Sequence, residues 1–393
     1  MQRSLDEAKR GEGKVSPNPL VGAVITDEDG NITATGFHEK YGGPHAEVNA
    51  INKAKGKTKD ATLFVNLEPC SHHGLTPPCT DLIIQSGFKR VVIGMTDPNP
   101  KVNGEGIKKL KAAGIEVITG VLEDECKKLN EIFIKNKTKG QPFIAIKTAT
   151  TLDGKIASSC GSSKWITSES ARAEVHRLRN KYDAILTSHK TIALDNPSMT
   201  CRLPDGRNPV RVVVDTNFKS DLNSKFFEDN GAKIYVAVDE SHPFFENGKW
   251  KMENGKLEQN NRSSTPLTNE ENRTLSGSSL LTPHFIKCPI KNGHVNLKYL
   301  VQKLFEKGIM SILIEAGGEL NGAFINAKLA DKLYHFIAPK IAGDSAALSW
   351  VSGFSIKEIS ECTNLKIENT TVFAPDILVE AYFTQNQGKL SLS

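Results

Sequence analysis

The chain has 393 residues, of which 38% are hydrophobic and 24% charged, and its formal net charge is +5. This length exceeds one typical hydrophobic core, so two domains are expected. The weak, interspersed charge does not indicate a nucleic-acid partner. The sequence has neither an apolar run near 18 residues nor a charged-then-apolar leader, so we expect no membrane span or secretory signal.

Helices and strands alternate over the first third of the chain. The hydrophobic pattern predicts helices at 1–10, 47–53, 79–86 and 106–113, and strands at 21–26, 61–67, 90–94 and 115–119. Such alternation predicts an α/β sandwich. We therefore expect a first domain at residues 1–122, followed by a helical linker at residues 123–142.

A second α/β domain is expected over residues 143–386. The pattern predicts strands at 143–148, 184–187, 210–214, 233–238, 311–315 and 335–339. Residues 240–282 interrupt this pattern, because they are rich in Asn, Glu, Ser, Lys and Thr and contain few apolar side chains. We interpret them as a long, mobile surface insertion.

Residues 45–79 contain the strongest chemical signature. His45-Ala46-Glu47 is followed by Pro69-Cys70 and then by Cys79. One imidazole and two thiolates suit a Zn²⁺ ion with an open fourth position for water, and the predicted helix N-termini favour thiolate. Glu47 can transfer protons without binding the metal. The pattern is typical of zinc deaminases of nucleobases.

Other interpretations of the same residues stay open at this stage. His45 could be an ordinary buried histidine, and the two cysteines could be small hydrophobic residues or a disulfide. A closed structural zinc site could draw its fourth ligand from His72 or His73. The remaining five cysteines are scattered, and the odd total of seven favours a reducing cytoplasm.

Further motifs follow in order along both halves. They lie at 16–22, 45–47, 69–74, 76–79, 97–100, 147, 152–157, 163–167, 178–179, 195–197 and 315–318. In this order the motifs resemble the bifunctional riboflavin-biosynthesis proteins. The resemblance spans about residues 1 to 384. It implies an N-terminal cytidine-deaminase-like α/β/α sandwich and a C-terminal dihydrofolate-reductase-like α/β domain.

The resemblance also implies two consecutive reactions on a small pyrimidine ribose-phosphate. The first half would hydrolytically deaminate 2,5-diamino-6-(5-phosphoribosylamino)pyrimidin-4(3H)-one, using one Zn²⁺ per chain. The second half would use NADPH to reduce the ribosyl group of 5-amino-6-(5-phosphoribosylamino)uracil to ribityl. Such proteins are commonly homodimers or homotetramers that assemble through the reductase half.

In the deaminase half, the resemblance implies zinc ligands at His45, Cys70 and Cys79 and a catalytic Glu47. Substrate contacts would come from Asn18, His38, His72, Asp97 and Asn99. For Asn18 and Asn99 the alternative is turn chemistry beside proline. For His38 and His72 the alternative is an ordinary surface histidine whose hydrogen bonds are satisfied.

In the reductase half, the resemblance implies substrate contacts from Lys147, Ser163, Arg179, Met199, Arg202 and Glu315. The NADPH site would be lined by Thr150, Trp165, Thr191, Asp195, Thr216, Gly317, Gly318, Glu319, Leu320, Asn321, Gly322 and Ala323. Alternatively, Lys147 is a solvated lysine at a strand end, Asp153 and Lys155 are structural turn residues, and Gly317-Gly318 is a plain tight turn.

The sequence departs from the family pattern at Leu75, where a Lys or Arg is usual, and at Ser188, where the strand usually ends in Gly. A side chain at Ser188 could crowd the cofactor phosphates or donate to them. Three rival interpretations remain: a nucleic-acid base deaminase with an accessory domain, a binding or scaffold protein, and a protein with only one active half.

Overall fold

The computed structural model describes residues 1–73, 77–99, 102–242, 250–253, 256–259 and 283–384. Contacts within the chain divide it into two compact units, Met1–Pro142 and Phe143–Ser393. Among the described helices, none combines the length and the apolar character needed to span a membrane.

The first unit has five strands and six helices among its described residues. The strands are β1 (Gly22–Thr26), β2 (Ile32–Phe37), β3 (Thr62–Leu67), β4 (Arg90–Met95) and β5 (Glu116–Thr119). The helices are α1 (Gln2–Lys9), α2 (Ala46–Ala54), α3 (Cys79–Gln85), α4 (Glu105–Ala112), α5 (Glu123–Leu129) and α6 (Glu131–Lys139).

These strands form one sheet in the order β2-β1-β3-β4-β5. The β1 strand is antiparallel to both β2 and β3, whereas β3, β4 and β5 are parallel. Helices α2, α3 and α4 pack on one face through Ala50, Ile83 and Leu110. Helices α1, α5 and α6 contribute to a second cluster that contains Leu5 and Phe133. The sheet is therefore covered on both sides.

In the second unit the described strands are β6 (Phe143–Thr151), β7 (Lys155–Ala157), β8 (Ala184–Ser188), β9 (Val210–Val214), β10 (Ile234–Asp239), β11 (Trp250–Glu253), β12 (Lys256–Gln259), β13 (His284–Cys288), β14 (Ile290–Lys291), β15 (His294–Val295), β16 (Ser311–Ile314), β17 (Lys332–Ala338), β18 (Leu348–Ser349), β19 (Leu365–Phe373) and β20 (Asp376–Phe383). The helices are α7 (Glu169–Lys181), α8 (His189–Asp195), α9 (Leu297–Glu306) and α10 (Gly318–Asn326).

The main sheet of this unit runs β11-β12-β13-β10-β9-β8-β16-β6-β17-β20-β19. Its centre, from β13 to β17, is parallel. Central strands such as β9 are rich in β-branched residues, as expected where both faces are buried. One face packs on α9 and α10 through Leu300, Leu304 and Phe324. The other face buries Ile192, Phe226 and Phe227.

The predicted α/β class is confirmed, and the predicted strands of both halves are present with small shifts at their ends. The sequence did not predict β2, nor the antiparallel edge formed by β19 and β20. In the predicted insertion at 240–282, β11 and β12 pair antiparallel and extend the sheet beside β13. Most of that insertion lies outside the described residues.

Candidate functional site

Three elements of the first unit bring the predicted zinc ligands together. His45 is the N-cap of α2, Cys79 begins α3 directly after Pro78, and Cys70 lies in the loop after β3. Their ligand atoms all lie within 4.8 Å of one another. Within the described part of the chain, no fourth His, Cys, Asp or Glu joins this group, so it has the donor set of an open rather than a closed site.

The spacing of these atoms fits a tetrahedral zinc ion. His45 Nδ1 lies 3.3 Å from Cys79 Sγ and 3.6 Å from Cys70 Sγ. Around a tetrahedral zinc ion, bonds of ordinary length place a sulfur ligand and a nitrogen ligand roughly 3.5 Å apart. All seven cysteines fall within the described residues and are free thiols, so the disulfide alternative is wrong.

The side chains of Cys70 and Cys79 interact directly with each other. Hydrogen bonding from the Cys79 thiol lowers the pKa of Cys70 to about 4, and the Cys79 backbone N–H also donates to Cys70 Sγ at 3.3 Å. The same interaction raises the pKa of Cys79. Burial raises the pKa of Glu47 to about 7, and the charge of Cys70 adds to this effect. A carboxyl group that titrates near neutrality can both accept and release a proton.

Asn18 and His38 form a hydrogen-bonded pair beside His45. Burial lowers the pKa of His38, which favours a neutral ring. His38 Nδ1 donates to the Pro44 carbonyl at 3.0 Å, which leaves Nε2 to accept from the Asn18 side-chain amide at 3.0 Å. The His38 ring meets the His45 ring edge-on at 5.5 Å. Both predicted substrate residues therefore lie close to His45, one of the three predicted zinc ligands.

The other predicted substrate residues of this unit are His72, Asp97 and Asn99. His72 is exposed and lies close enough to affect Asp97 electrostatically, although burial dominates and raises the pKa of Asp97. The Asn99 backbone N–H donates to Asp97 Oδ1 at 2.8 Å, so turn chemistry is present at this position. Leu75, one of the two departures from the family pattern, lies outside the described residues.

The second unit contains a cavity of about 1860 Å³, larger than the roughly 300–1,000 Å³ of a typical small-molecule site. It lies at the carboxyl ends of parallel strands β8, β9 and β16, where open α/β sheets bind ligands. Fifteen of the predicted residues line it: Lys147, Ser163, Trp165, Arg179, Thr191, Asp195, Met199, Arg202, Thr216, Glu315, Gly317, Gly318, Glu319, Leu320 and Ala323.

A buried charge network forms part of the cavity wall. Arg179 on α7 donates to both oxygens of Glu315, at 2.8 and 2.9 Å. The Lys147 ammonium lies 3.9 Å from Glu315 Oε2, and the side chains of Lys147 and Glu315 are 15% and 10% exposed. The cationic neighbour Arg179 opposes the effect of burial and holds the pKa of Glu315 at about 2. Lys147 is therefore not a solvated lysine at a strand end.

Side-chain pairs order the rest of the cavity wall. Ser163 Oγ donates to Asp195 Oδ1 at 2.8 Å, and the Arg172 guanidinium stacks 4.5 Å from the Trp165 ring centroid. Ser188, the other departure from the family pattern, is the N-cap of α8, and its hydroxyl accepts from the Thr191 backbone N–H at 3.3 Å. Its side chain thus has a structural partner.

Three residues predicted to line the cofactor site do not reach the cavity. The fully buried Thr150 has its hydroxyl 2.8 Å from His335 Nε2. Asn321 donates to the carbonyls of Ala316 and Trp350. A Cβ at Gly322 would lie 1.8 Å from the Ser352 carbonyl oxygen. These three residues contact the 350–353 segment or a neighbouring strand rather than the cavity.

The turn residues Asp153 and Lys155 fit their structural alternative. Asp153 accepts from the Thr151 hydroxyl and from the backbone N–H groups of Ala342 and Gly343. Lys155 Nζ donates to the Ala347 carbonyl at 3.3 Å. Sequence reasoning also missed His176, which lines the cavity; its i, i+3 spacing from Arg179 on one helix was an available signal.

The fold and the two sites define a two-part enzyme, with a zinc-type deaminase unit and a reductase unit that has room for a nucleotide cofactor. The model of the cytidine and deoxycytidylate deaminase zinc-binding region matches residues 1–95. The model of the RibD C-terminal domain matches residues 142–379.

Full-length relatives extend this result. The riboflavin biosynthesis protein RibD of Actinobacillus pleuropneumoniae is 38% identical over 97% of this chain and 93% of its own length. The RibD protein of Aquifex aeolicus is 40% identical over 94% of each chain. The crystal structure of a diaminohydroxyphosphoribosylaminopyrimidine deaminase/5-amino-6-(5-phosphoribosylamino)uracil reductase from Thermotoga maritima is 42% identical, with a TM-score of 0.79 over 98% of this chain and 97% of that one.

The chain therefore belongs to the RibD family. It is a bifunctional enzyme of riboflavin biosynthesis, with a zinc-binding deaminase domain and a reductase domain that uses a nicotinamide cofactor. Because the family match covers both halves, the three rival interpretations are not favoured: a nucleic-acid base deaminase, a scaffold protein and a single active half.

Proposed function

We propose that the first unit deaminates 2,5-diamino-6-(5-phosphoribosylamino)pyrimidin-4(3H)-one and that the second unit then uses NADPH to reduce 5-amino-6-(5-phosphoribosylamino)uracil to its ribityl product. The Thermotoga maritima protein, 42% identical, carries the names of both activities. The observation that carries the proposal is the His45, Cys70 and Cys79 group, with the buried Glu47 on the same helix as the imidazole.

In the deaminase, His45, Cys70 and Cys79 would hold one zinc ion per chain. Zinc bound there supplies Lewis-acid activation of a water molecule for attack on the amidine-like ring carbon. Glu47, which is 3% exposed, accepts a proton from the attacking water and delivers it to the departing amine, which leaves as ammonia. His38, with its neutral ring, and Asn18 orient the pyrimidine beside the proposed zinc ligands. His72, Asp97 and Asn99 also contact the substrate, from the loops that carry them.

In the reductase, NADPH bound along Thr191, Thr216 and the 317–320 turn supplies a hydride. The turn begins α10, so its backbone N–H groups suit a phosphate. Arg179 is held by Glu315. The cavity-lining Arg202 would bind the substrate phosphate. Opening of the ribose ring develops negative charge on its oxygen, and the cavity-lining Lys147 can donate to it.

The substitution Glu47→Gln tests the deaminase assignment within the full chain. Glutamine has nearly the same shape but cannot carry the proton, so ammonia release should fall by about 10²–10⁴-fold. Zinc content should stay near one per chain, and NADPH oxidation with the deaminated substrate should be unchanged. Near-wild-type ammonia release would show that another group transfers the proton.

A homodimer or homotetramer through the reductase unit is the assembly we propose. The described edge strand β19 supports it, since Ile367 and Val372 are 65% and 69% exposed and unpaired strand edges favour association. Sedimentation velocity of the full chain tests this. A monomer at micromolar concentration would contradict it.

A further inference from the structure

Glu68 is a buried carboxylate to which no role has yet been given. It follows β3 directly and is 3% exposed. Its Oε2 accepts from the backbone N–H groups of Asp97 and Gly104, both at 3.0 Å. Its Oε1 accepts from those of Gly106 at 2.9 Å and Ile107 at 3.3 Å. One side chain therefore satisfies four backbone donors from two places in the chain.

Two of these donors belong to the first turn of α4. The N-cap of this helix is Gly104, which has no side chain that could cap it. The first N–H groups of a helix have no partner within the helix, and negative charge is favoured beside them. Glu68 supplies both the acceptor and the charge from a distant part of the sequence.

The other two donors close a loop. Asp97 and Gly104 both donate to Oε2 of Glu68, so a single oxygen holds the two ends of the loop at 97–104. Asp97 and Asn99, two of the proposed substrate contacts, lie on this loop. Residues 100–101 lie outside the described part of the chain.

The same carboxylate is tied to the metal ligands, because Cys70 is only two residues further along. A Cβ at Gly106 would lie 2.3 Å from the Pro69 carbonyl oxygen, so the start of α4 lies directly against the peptide that leads into Cys70. The loop that carries Cys70 and the loop at 97–104 are therefore both held in place by Glu68.

We propose that Glu68 is a positioning residue of the deaminase, which sets the placement of the substrate loop at 97–104 relative to the zinc ligand Cys70. This inference rests on the proposed deaminase function, because only that function gives Asp97 and Asn99 a substrate to contact. Glu68 itself has all four of its bonds to backbone and so acts through the loop.

The substitution Glu68→Gln tests the proposal in the full chain. An amide offers one acceptor oxygen, and its NH₂ group would face backbone donors, so about half of the hydrogen bonds are lost. Zinc should stay near one per chain, because the ligand atoms are unchanged. The Michaelis constant for the diaminopyrimidine phosphate should rise about tenfold or more, equivalent to about 1.4 kcal/mol, with a smaller fall in kcat.

A matched control and a double-mutant cycle separate this role from a general loss of structure. Asp183→Asn removes a carboxylate of the second unit that accepts from the Met310 and Ser311 backbone N–H groups, and it should leave the deaminase Michaelis constant unchanged. If Glu68 acts through the loop, Asp97→Ala should raise the Michaelis constant less in the Glu68→Gln background than in the wild type.

Additive effects in that cycle, or an unchanged Michaelis constant in zinc-loaded Glu68→Gln, would overturn the proposal. If Glu68→Gln does not accumulate as folded protein, Gly106→Ala provides a second test. It perturbs the contact between the start of α4 and the Pro69 carbonyl and leaves the Glu68 carboxylate in place. It too should raise the Michaelis constant, and an unchanged value would equally overturn the proposal. Wild-type protein that releases no ammonia from this substrate would instead contradict the proposed function.

Discussion

Replacing Glu315 by Gln should destabilise the reductase unit by about 3 kcal/mol, in the range typical of a buried ion pair that loses one partner. The carboxylate lies between Arg179, at 2.8 and 2.9 Å, and Lys147, at 3.9 Å. Arg179 and Glu315 are only 14% and 10% exposed. The neutral amide would leave two buried cations near each other without their shared counter-charge.

The depressed pKa of Glu315 gives a similar value for the lost free energy of unfolding. It lies at about 2 against an ordinary value of 4.5, a difference worth on the order of 3 kcal/mol at neutral pH. Because the pKa is depressed in the folded state, this stability is present above the unfolded value and is lost as the pH falls. The difference between wild type and Glu315→Gln should therefore begin to shrink below about pH 5 and be nearly gone near pH 2.

Tryptophan fluorescence reports the unfolding of the reductase unit alone, because all three tryptophans lie after residue 142: Trp165, Trp250 and Trp350. Urea unfolding of the full chain followed by this signal should show a lower midpoint for Glu315→Gln. The control Glu306→Gln removes one partner of the exposed pair with Lys303 and should barely move the midpoint. An unchanged midpoint for Glu315→Gln at pH 7 would refute the reasoning.

Three further predictions concern the metal, the residue Leu75 between Cys70 and Cys79, and the independence of the halves. Cys70→Ser should lose zinc and ammonia release together, whereas Cys126→Ser, outside the ligand group, should keep both; a full zinc content in Cys70→Ser would exclude the ligand assignment. Leu75→Lys should lower the deaminase Michaelis constant about tenfold by adding a charge-assisted bond to the anionic substrate. The alternative is that Lys101, which directly follows the 97–100 motif in the sequence, already supplies this charge, and then Lys101→Ala should raise the constant. No change in either variant would contradict this account of Leu75. Residues 143–393, which contain their own buried clusters, should fold alone and oxidise NADPH with the deaminated substrate, and failure to fold would argue for an obligatory interface.

The parts of the fold that the sequence predicted are those with a local signal. The central parallel strands are short apolar runs between turns, and such runs predict buried strands directly. The edge strand β19 was missed because its apolar–polar alternation covers only residues 365–368 and stops at the polar run 369–371. Its pairing with β20 becomes visible only in the folded sheet.

The candidate site likewise contains residues that could be predicted from the sequence and residues that could not. His45, Cys70 and Cys79 were predictable because their residue types and spacing carry the chemistry. Thr150 was expected at the cofactor site, but its partner, His335, lies 185 residues away in sequence. Likewise, nothing near Glu68 shows that it accepts bonds from donors 29 to 39 residues later.

The most direct test of the central claim is a coupled assay of the purified full chain with the diaminopyrimidine phosphate and NADPH. Ammonia release and loss of NADPH absorbance are followed separately in one reaction. We predict that ammonia appears first and that one NADPH is oxidised for each ammonia released. In Glu47→Gln, NADPH oxidation should fall by the same factor as ammonia release, unless the deaminated substrate is supplied. Ammonia release without NADPH oxidation, or NADPH oxidation that does not depend on Glu47, would contradict two consecutive reactions on one chain.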